Sequence, residues 1–176
     1  DSVFSGVSVR SLPAADVTDL SEGAALLKFP MPNISGKHVE SFCAENNITP
    51  NALFTAGFGV LLGKLTGQEE AVFASIYNGR TEARSFHMLG MLVKTYPIYM
   101  QLDGKHRVED FVKAVRESIT QLTANDLYSF AEASRAYGVN SDILFAYQGD
   151  EFSADTFAGK PATFLETKLE GAKSPL

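Results

Sequence analysis

Few side chains in this chain have the chemistry to act on a substrate. His38, His87 and His106 are the only imidazoles. No two of them stand four residues apart, and none sits near a cysteine at metal-site spacing. His38 falls in the first turn of an expected helix and His106 just before another, so both read as surface residues. His87 lies in an expected loop and is the best placed of the three for chemistry. Cys43 is the only thiol. It falls on the apolar stripe of a helix, where a thiol is structural unless a base and a positive setting activate it.

Gly57, Gly59, Gly63 and Lys64 suggest phosphate binding at first sight. The third glycine comes one residue late for a dinucleotide fingerprint, and no first glycine is spaced for a phosphate loop. Both motifs also need a loop that follows a strand. This segment reads as helix interior, where small residues allow close packing. No G-x-S-x-G nucleophile elbow occurs. The carboxylate pairs Glu69–Glu70 and Glu109–Asp110 sit at turns and helix starts, which capping and solvation explain. Asp126 differs, because it falls between two helices in TANDLYSF, beside apolar and aromatic residues. A cap or turn role competes there with a catalytic one.

The elements that position these residues follow from periodicity. Residues 24–30 form a short strand candidate ended by Pro30 and Pro32. Ser35 is placed to cap a helix, with Ile34 and Val39 as a hydrophobic staple. Thr49-Pro50 restarts a helix over 50–65 that is apolar almost all round and is therefore expected to be central. The two Asn-x-Ser/Thr sites at Asn33 and Asn47 read as this same helix-start chemistry. AVFASI at 71–76 predicts a strand covered on both faces, closed by Asn78-Gly79. Residues 80–88 read as a loop. The longest strand candidate is 91–102, where Pro97 demands a bulge, a bend or an edge position. Spacing predicts an amphipathic helix at 107–123 and a short one at 130–137 with Ser129 and Glu132 as a capping box. Strands are expected at 142–148 and 163–169, with a polar loop at 149–161. The order is that of an α/β domain with helices on a mixed sheet.

Composition bounds what such a domain can be. The chain has 176 residues, 45% of them hydrophobic and 20% charged. A chain of this length can bury roughly 70% of its unfolded surface. Residues 1–20 read as linker or coil. Fifteen Lys and Arg stand against 21 Asp and Glu, a net charge of −6. No segment is strongly basic, which argues against nucleic acid and against a membrane-surface helix. No run of 18 apolar residues occurs, and DSVFSGVSVR lacks the basic start and apolar core of a signal peptide. A single cysteine fits a reducing, cytoplasmic setting.

Four segments together resemble the condensation domains of nonribosomal peptide synthetases, in the chloramphenicol-acetyltransferase-like superfamily. ITPNALFTAGFGVLLGKLTGQEEAVFASIYNGR at 48–80 has the family's threonine-led helix, glycine turn, acidic pair, strand and terminal Gly79-Arg80. In LGMLVKTYPIYMQL at 89–102, Leu89, Gly90, Val93, Thr95, Pro97 and Ile98 fit the I/L-G-x-F-V-N-T-x-P-L-R pattern. Lys94 stands where the family has Asn, and Tyr99 where it has Arg. TANDLYSF is a weak form of H-Q-D-Y-P-F, with Asp126 its clearest survivor. NSDILFAYQG at 140–149 is similar to R-N-P-L-F-x-V-x-F-N.

The resemblance spans about 23–170 and implies that residues 21–176 are a partial C-terminal lobe. The family's two lobes form a V around a tunnel that admits two phosphopantetheine arms. The catalytic H-H-x-x-x-D-G motif belongs to the other lobe and occurs nowhere in this sequence. The resemblance also implies further strands and a helix after the position of Leu176. It implies no catalytic residue here, no metal and no directly bound cofactor, phosphopantetheine being carried by the partners. Those partners are peptidyl or acyl carrier domains, the N-terminal lobe and a neighbouring adenylation domain. An open sheet edge also allows self-association. The implied tunnel or substrate residues are Asn78, Arg80, Lys94, Thr95, Pro97, Asp126, Tyr147 and Gln148. Lys94 is open to two readings: contact with a phosphate or acidic substrate, or solvation. The alternatives to an amide-forming lobe are a relative that uses another acyl acceptor and a non-catalytic docking or scaffold domain.

Overall fold

The computed structural model describes residues 27–126, 130–138, 141, 143–149, 156, 157 and 159–161. Ser35 begins helix α1, Gly36–Asn46, and its hydroxyl accepts the His38 N–H at 3.3 Å. Asn47 ends the helix in the left-handed region at φ 53°. Thr49 caps helix α2, Pro50–Thr66, by accepting the Ala52 N–H at 3.2 Å. Pro50 at the first helical position lacks only an N–H that would have had no intrahelical partner. Both Asn-x-Ser/Thr sites are thus helix starts.

Strand β1, Glu70–Tyr77, pairs antiparallel with β2, Lys94–Gln101, from Glu70–Gln101 to Tyr77–Lys94. It pairs in parallel with β3, Leu144–Phe145, and the sheet order is β2-β1-β3. The sheet is mixed, as expected. Residues 71–75 of β1 are all buried, which agrees with a strand covered on both faces. The Ala74 N–H points to Ile143 O, at 3.0 Å, and so away from β2. Its β2 partner Pro97 therefore stands at a non-hydrogen-bonded position. The missing N–H of Pro97 faces the outer side of β2, an edge strand among the described residues, where it breaks no rung of the β1–β2 ladder.

Alternation puts Ala71, Phe73, Tyr96, Ile98 and Met100 on one sheet face. They form one buried core with Ala52, Ala56 and Leu62 of α2 and with Val112 and Val115 of α3, Val108–Ala124. A Cβ at Gly59 would overlap the Met100 sulfur, and one at Gly63 would overlap the Leu102 side chain. Gly59 and Gly63 thus serve close packing, as the sequence suggested, whereas Gly57 faces open space. Arg116 Nη1 donates to Asn47 O at 2.6 Å and ties α3 to the α1–α2 turn. Helix α4, Phe130–Tyr137, packs against β2.

Several expectations need correction. Residues 27–30 of the 24–30 strand candidate are exposed and carry no strand, and the rest lies outside the described residues. Helix α2 is not enclosed all round, because Val60, Leu61 and Leu65 are 40%, 51% and 57% exposed. Of the strand expected at 142–148, the described residues 143–148 show only the two paired residues of β3. The loop at 149–161 contains a two-stranded hairpin, β4 Thr156–Phe157 with β5 Lys160–Pro161. The loop at 80–88 contains a 3₁₀ turn, Ala83–His87. Residues 1–20, Ser129 and the strand expected at 163–169 lie outside the described residues.

Candidate functional site

Register brings the sequence-derived residues to one end of the sheet. Strand β1 ends at Tyr77, opposite Lys94 at the start of β2. Strand β3 runs parallel to β1, so Tyr147 and Gln148 leave the sheet at the same end. Asp126 follows closely on α3, whose last residue is Ala124. Three segments far apart in sequence meet here.

Lys94 Nζ lies 2.7 Å from Asp126 Oδ2 and also donates to the Asp126 main-chain oxygen at 3.1 Å. The Tyr77 hydroxyl donates a short hydrogen bond to the same Asp126 carboxylate. The bond from Lys94, then that from Tyr77, holds the Asp126 carboxyl below its usual range. Burial, reinforced by Asp126, pushes the Tyr77 hydroxyl above its usual range. Tyr77 is therefore a neutral donor and Asp126 an anion at neutral pH. Lys94 is 43% exposed at its side chain and pairs its charge with Asp126, which leaves both readings of the sequence open.

Lys94 and Asp126 together line two cavities. One, of about 420 Å³, is walled by Tyr77, Thr95, Tyr96, Pro97 and Tyr137. The other, of about 430 Å³, is walled by Gly79, Ser85, Met88, Met91 and Leu92. Thr95 and Pro97 thus line the first cavity with the pair. Asn78 and Arg80 line neither. Asn78 Oδ1 accepts the Arg80 N–H at 3.0 Å, and Arg80 turns its guanidinium onto carbonyls of residues 85–90. Tyr147 and Gln148 border a separate cleft of about 250 Å³, and Tyr147 stacks on Phe54 of α2 with centroids 5.5 Å apart. Tyr77 was missed from sequence, where it falls between the expected strand at 71–76 and the Asn78-Gly79 turn. Its facing residue Lys94 was the available signal.

Of the other groups weighed from sequence, His87 falls near this end, between the cavity-lining Ser85 and Met88, but does not line the cavity itself. Cys43 is 3% exposed, and burial pushes its thiol up, away from the thiolate that reacts. His38, His87 and His106 are exposed. Among the described residues no group of three or more His, Cys, Asp and Glu is placed to hold a metal. No helix among them is long and apolar enough to cross a membrane.

The model of the condensation domain matches residues 13–163. The chain belongs to the condensation-domain family. It is similar to bacitracin synthase 1 of Bacillus licheniformis, at 30% identity over 107 residues, 61% of this chain and 2% of that protein. Similarity to bacitracin synthase 3 of the same organism is 27% over 188 residues, 99% of this chain and 3% of that protein. The chain therefore spans only a few hundredths of the length of these relatives. Among solved structures, a four-domain nonribosomal peptide synthetase bound to AMP and glycine superposes with a TM-score of 0.58 at 24% identity. That match covers 64% of this chain and 9% of the synthetase. The first condensation domain of the calcium-dependent antibiotic synthetase, in complex with a substrate analogue, superposes with a TM-score of 0.53 at 18% identity. It covers 61% of this chain and 25% of that one. Both share the mixed α/β fold of the condensation domain.

Proposed function

We propose that residues 21–176 act as C-terminal-lobe wall of a condensation-domain tunnel, in a cytoplasmic nonribosomal peptide synthetase, after a linker at 1–20. The lobe serves amide formation between carrier-bound acyl or aminoacyl thioesters and carries no catalytic base of its own. In that reaction the acceptor nitrogen bonds to the thioester carbonyl carbon. The carbon–sulfur bond breaks, the thiol leaves, and the amine gives up a proton. This needs a proton acceptor and a donor to the developing oxyanion.

The observation that carries this reading is the Tyr77–Lys94–Asp126 cluster between two cavities. Its members come from the segments that match the family motifs. The carboxylate is already paired on both sides, which makes it a poor base and a good fixed wall. The family's H-H-x-x-x-D-G motif is absent from the sequence, so the base is assigned to the N-terminal lobe. Carrier domains would deliver the phosphopantetheine arms, and an adenylation domain would load them. Asn78, Arg80, Lys94, Thr95, Pro97, Asp126, Tyr147 and Gln148 would shape or support the tunnel mouth and the docking surface around it.

A second reading has one observation in its favour: Lys94 and Tyr99 replace two of the three polar residues of one family motif, Thr95 being kept. Such a change suits a relative with another acyl acceptor. A condensation assay with aminoacyl-loaded carrier proteins tests both. The expected result is no amide from this chain alone and amide once the N-terminal lobe is present. Robust turnover by the chain alone would sink the proposal. Ester formation with a hydroxyacyl acceptor, and none with an amine, would favour the second reading.

A further inference from the structure

The Asn78-Gly79-Arg80 turn leads from β1 into residues 81–93, whose only regular piece is the 3₁₀ turn Ala83–His87. Main-chain carbonyls in such a segment still need donors. One side chain supplies three of them. Arg80 Nη1 donates to Ser85 O by a short bond and to Met88 O at 3.0 Å, and Nη2 donates to Gly90 O at 3.2 Å. The turn that aims the guanidinium is itself fixed. Asn78 accepts the Arg80 N–H, and Gly79, at φ 68°, lies against the Leu92 carbonyl. The clamped segment holds Phe86, Met88, Leu89 and Met91 out into solvent, with exposures of 64%, 52%, 103% and 89%. Burial in the core would favour those apolar side chains, so something must hold the backbone that displays them.

We infer that Arg80 is a positioning residue that fixes residues 85–90 as one wall of the cavity beside Lys94 and Asp126. It lines neither cavity that this pair borders. Ser85, Met88 and Leu92, which it holds directly or through the turn, line the second of them. A planar fork can reach three carbonyls spread over six residues, and a lysine ammonium cannot. The inference rests on the proposed function for what the wall serves, and on the hydrogen bonds alone for the clamp.

Two readouts separate these. The first is amide exchange at Ser85 and Met88, whose N–H groups donate to Glu82 O at 2.8 Å and Ser85 O at 3.3 Å. In Arg80→Ala and Arg80→Lys, exchange there should quicken about ten-fold while amides of α2 and α3 hold. Millimolar guanidinium should restore protection in Arg80→Ala. The second readout is the two-lobed domain, where KM for the carrier-bound substrate should rise about ten-fold with kcat held within about two-fold. Unchanged exchange in a folded Arg80→Ala overturns the clamp; Arg80→Lys serves if Arg80→Ala does not fold. Faster exchange with unchanged KM overturns the wall. A wild-type two-lobed domain without turnover overturns the proposed function instead, and exchange then decides the clamp by itself.

Discussion

The two ends of the sheet hold cavities of nearly equal size, about 430 Å³ and about 420 Å³, but the polar groups on their walls are differently engaged. At the Glu69–Leu102 end, Val60, Leu102, Val108 and Phe111 line an apolar hollow beside the glycines of α2. Asp103 on its lining is satisfied locally. Asp103 Oδ1 accepts the Lys105 N–H at 3.1 Å within its turn, and His106 stands 3.9 Å from that oxygen. At the Tyr77–Lys94 end, hydroxyl, ammonium and carboxylate converge from three segments, across 32 and 49 positions of sequence. Cavity volume does not separate the two ends. Convergent polar groups held by long-range contacts do, and they make the Lys94 end the candidate site.

The sharpest way to break this contrast is to add one methyl group at each end. At the Lys94 end, Gly79→Ala would force a left-handed backbone on alanine and drive its Cβ into the Leu92 carbonyl, a main-chain atom with no free rotamer. The expected loss is about 3 kcal/mol, read from urea midpoints. At the other end, Gly63→Ala meets the tip of the Leu102 side chain, with Gln68 O at 3.2 Å. A side chain can yield, so the expected loss is about 1–2 kcal/mol. Equal losses would erase the distinction between a rigid polar end and a packed apolar one.

Asp126→Asn removes the charge at the centre of the polar end. Because Lys94 is 43% exposed at its side chain, solvent screens the pair, and the loss should be about 1 kcal/mol at pH 7. The sign with pH follows from the depressed folded pKa of Asp126. The wild-type advantage is fully present above the unfolded aspartate value of about 4. It disappears as pH falls through the folded value, where the wild-type carboxyl becomes neutral like the amide. Urea titrations at pH 7, 5 and 2 should show a constant gap at the first two and a smaller one at the last. A gap that persists undiminished in acid would mean that Asp126 acts through shape alone.

Legibility in the sequence tracks the range of the interaction. Ser35 and Thr49 as caps, Pro50 at N1, the covered strand at 71–76 and the demand of Pro97 for a bulge, a bend or an edge all rest on contacts within a few residues or on one strand's period. Each is visible in the residue string. The partner of Lys94 was not, because an ion pair between a strand start and a helix end depends on how the two pack. Arg80 shows a different limit. It binds carbonyls, which every residue has, so no partner type in the sequence points to its role. The shortened β3 and the open side of α2 fail for a third reason. Apolar character says a surface can be covered and does not say what covers it.

The smallest predicted effect returns to the apolar end. Tyr99 and Glu70 lie diagonally across β1 and β2 on the face opposite Phe73, and the Tyr99 hydroxyl donates to Glu70 Oε1 at 2.8 Å. Burial, then Glu70, pushes that hydroxyl above its ordinary value, so it stays a donor throughout the neutral range. Tyr99→Phe removes one hydrogen bond at a half-exposed rung and should cost about 0.5–1 kcal/mol. The resemblance places an arginine at this position in the family, and Glu70 is a carboxylate already within reach of it. Tyr99→Arg should therefore fall within about 0.5 kcal/mol of wild type, with a larger share of its stability lost in high salt. A large loss in Tyr99→Arg would mean that the ring, and not the bond to Glu70, holds this rung. The departure from the family at Tyr99 would then be a change in packing at the end of the sheet remote from the site.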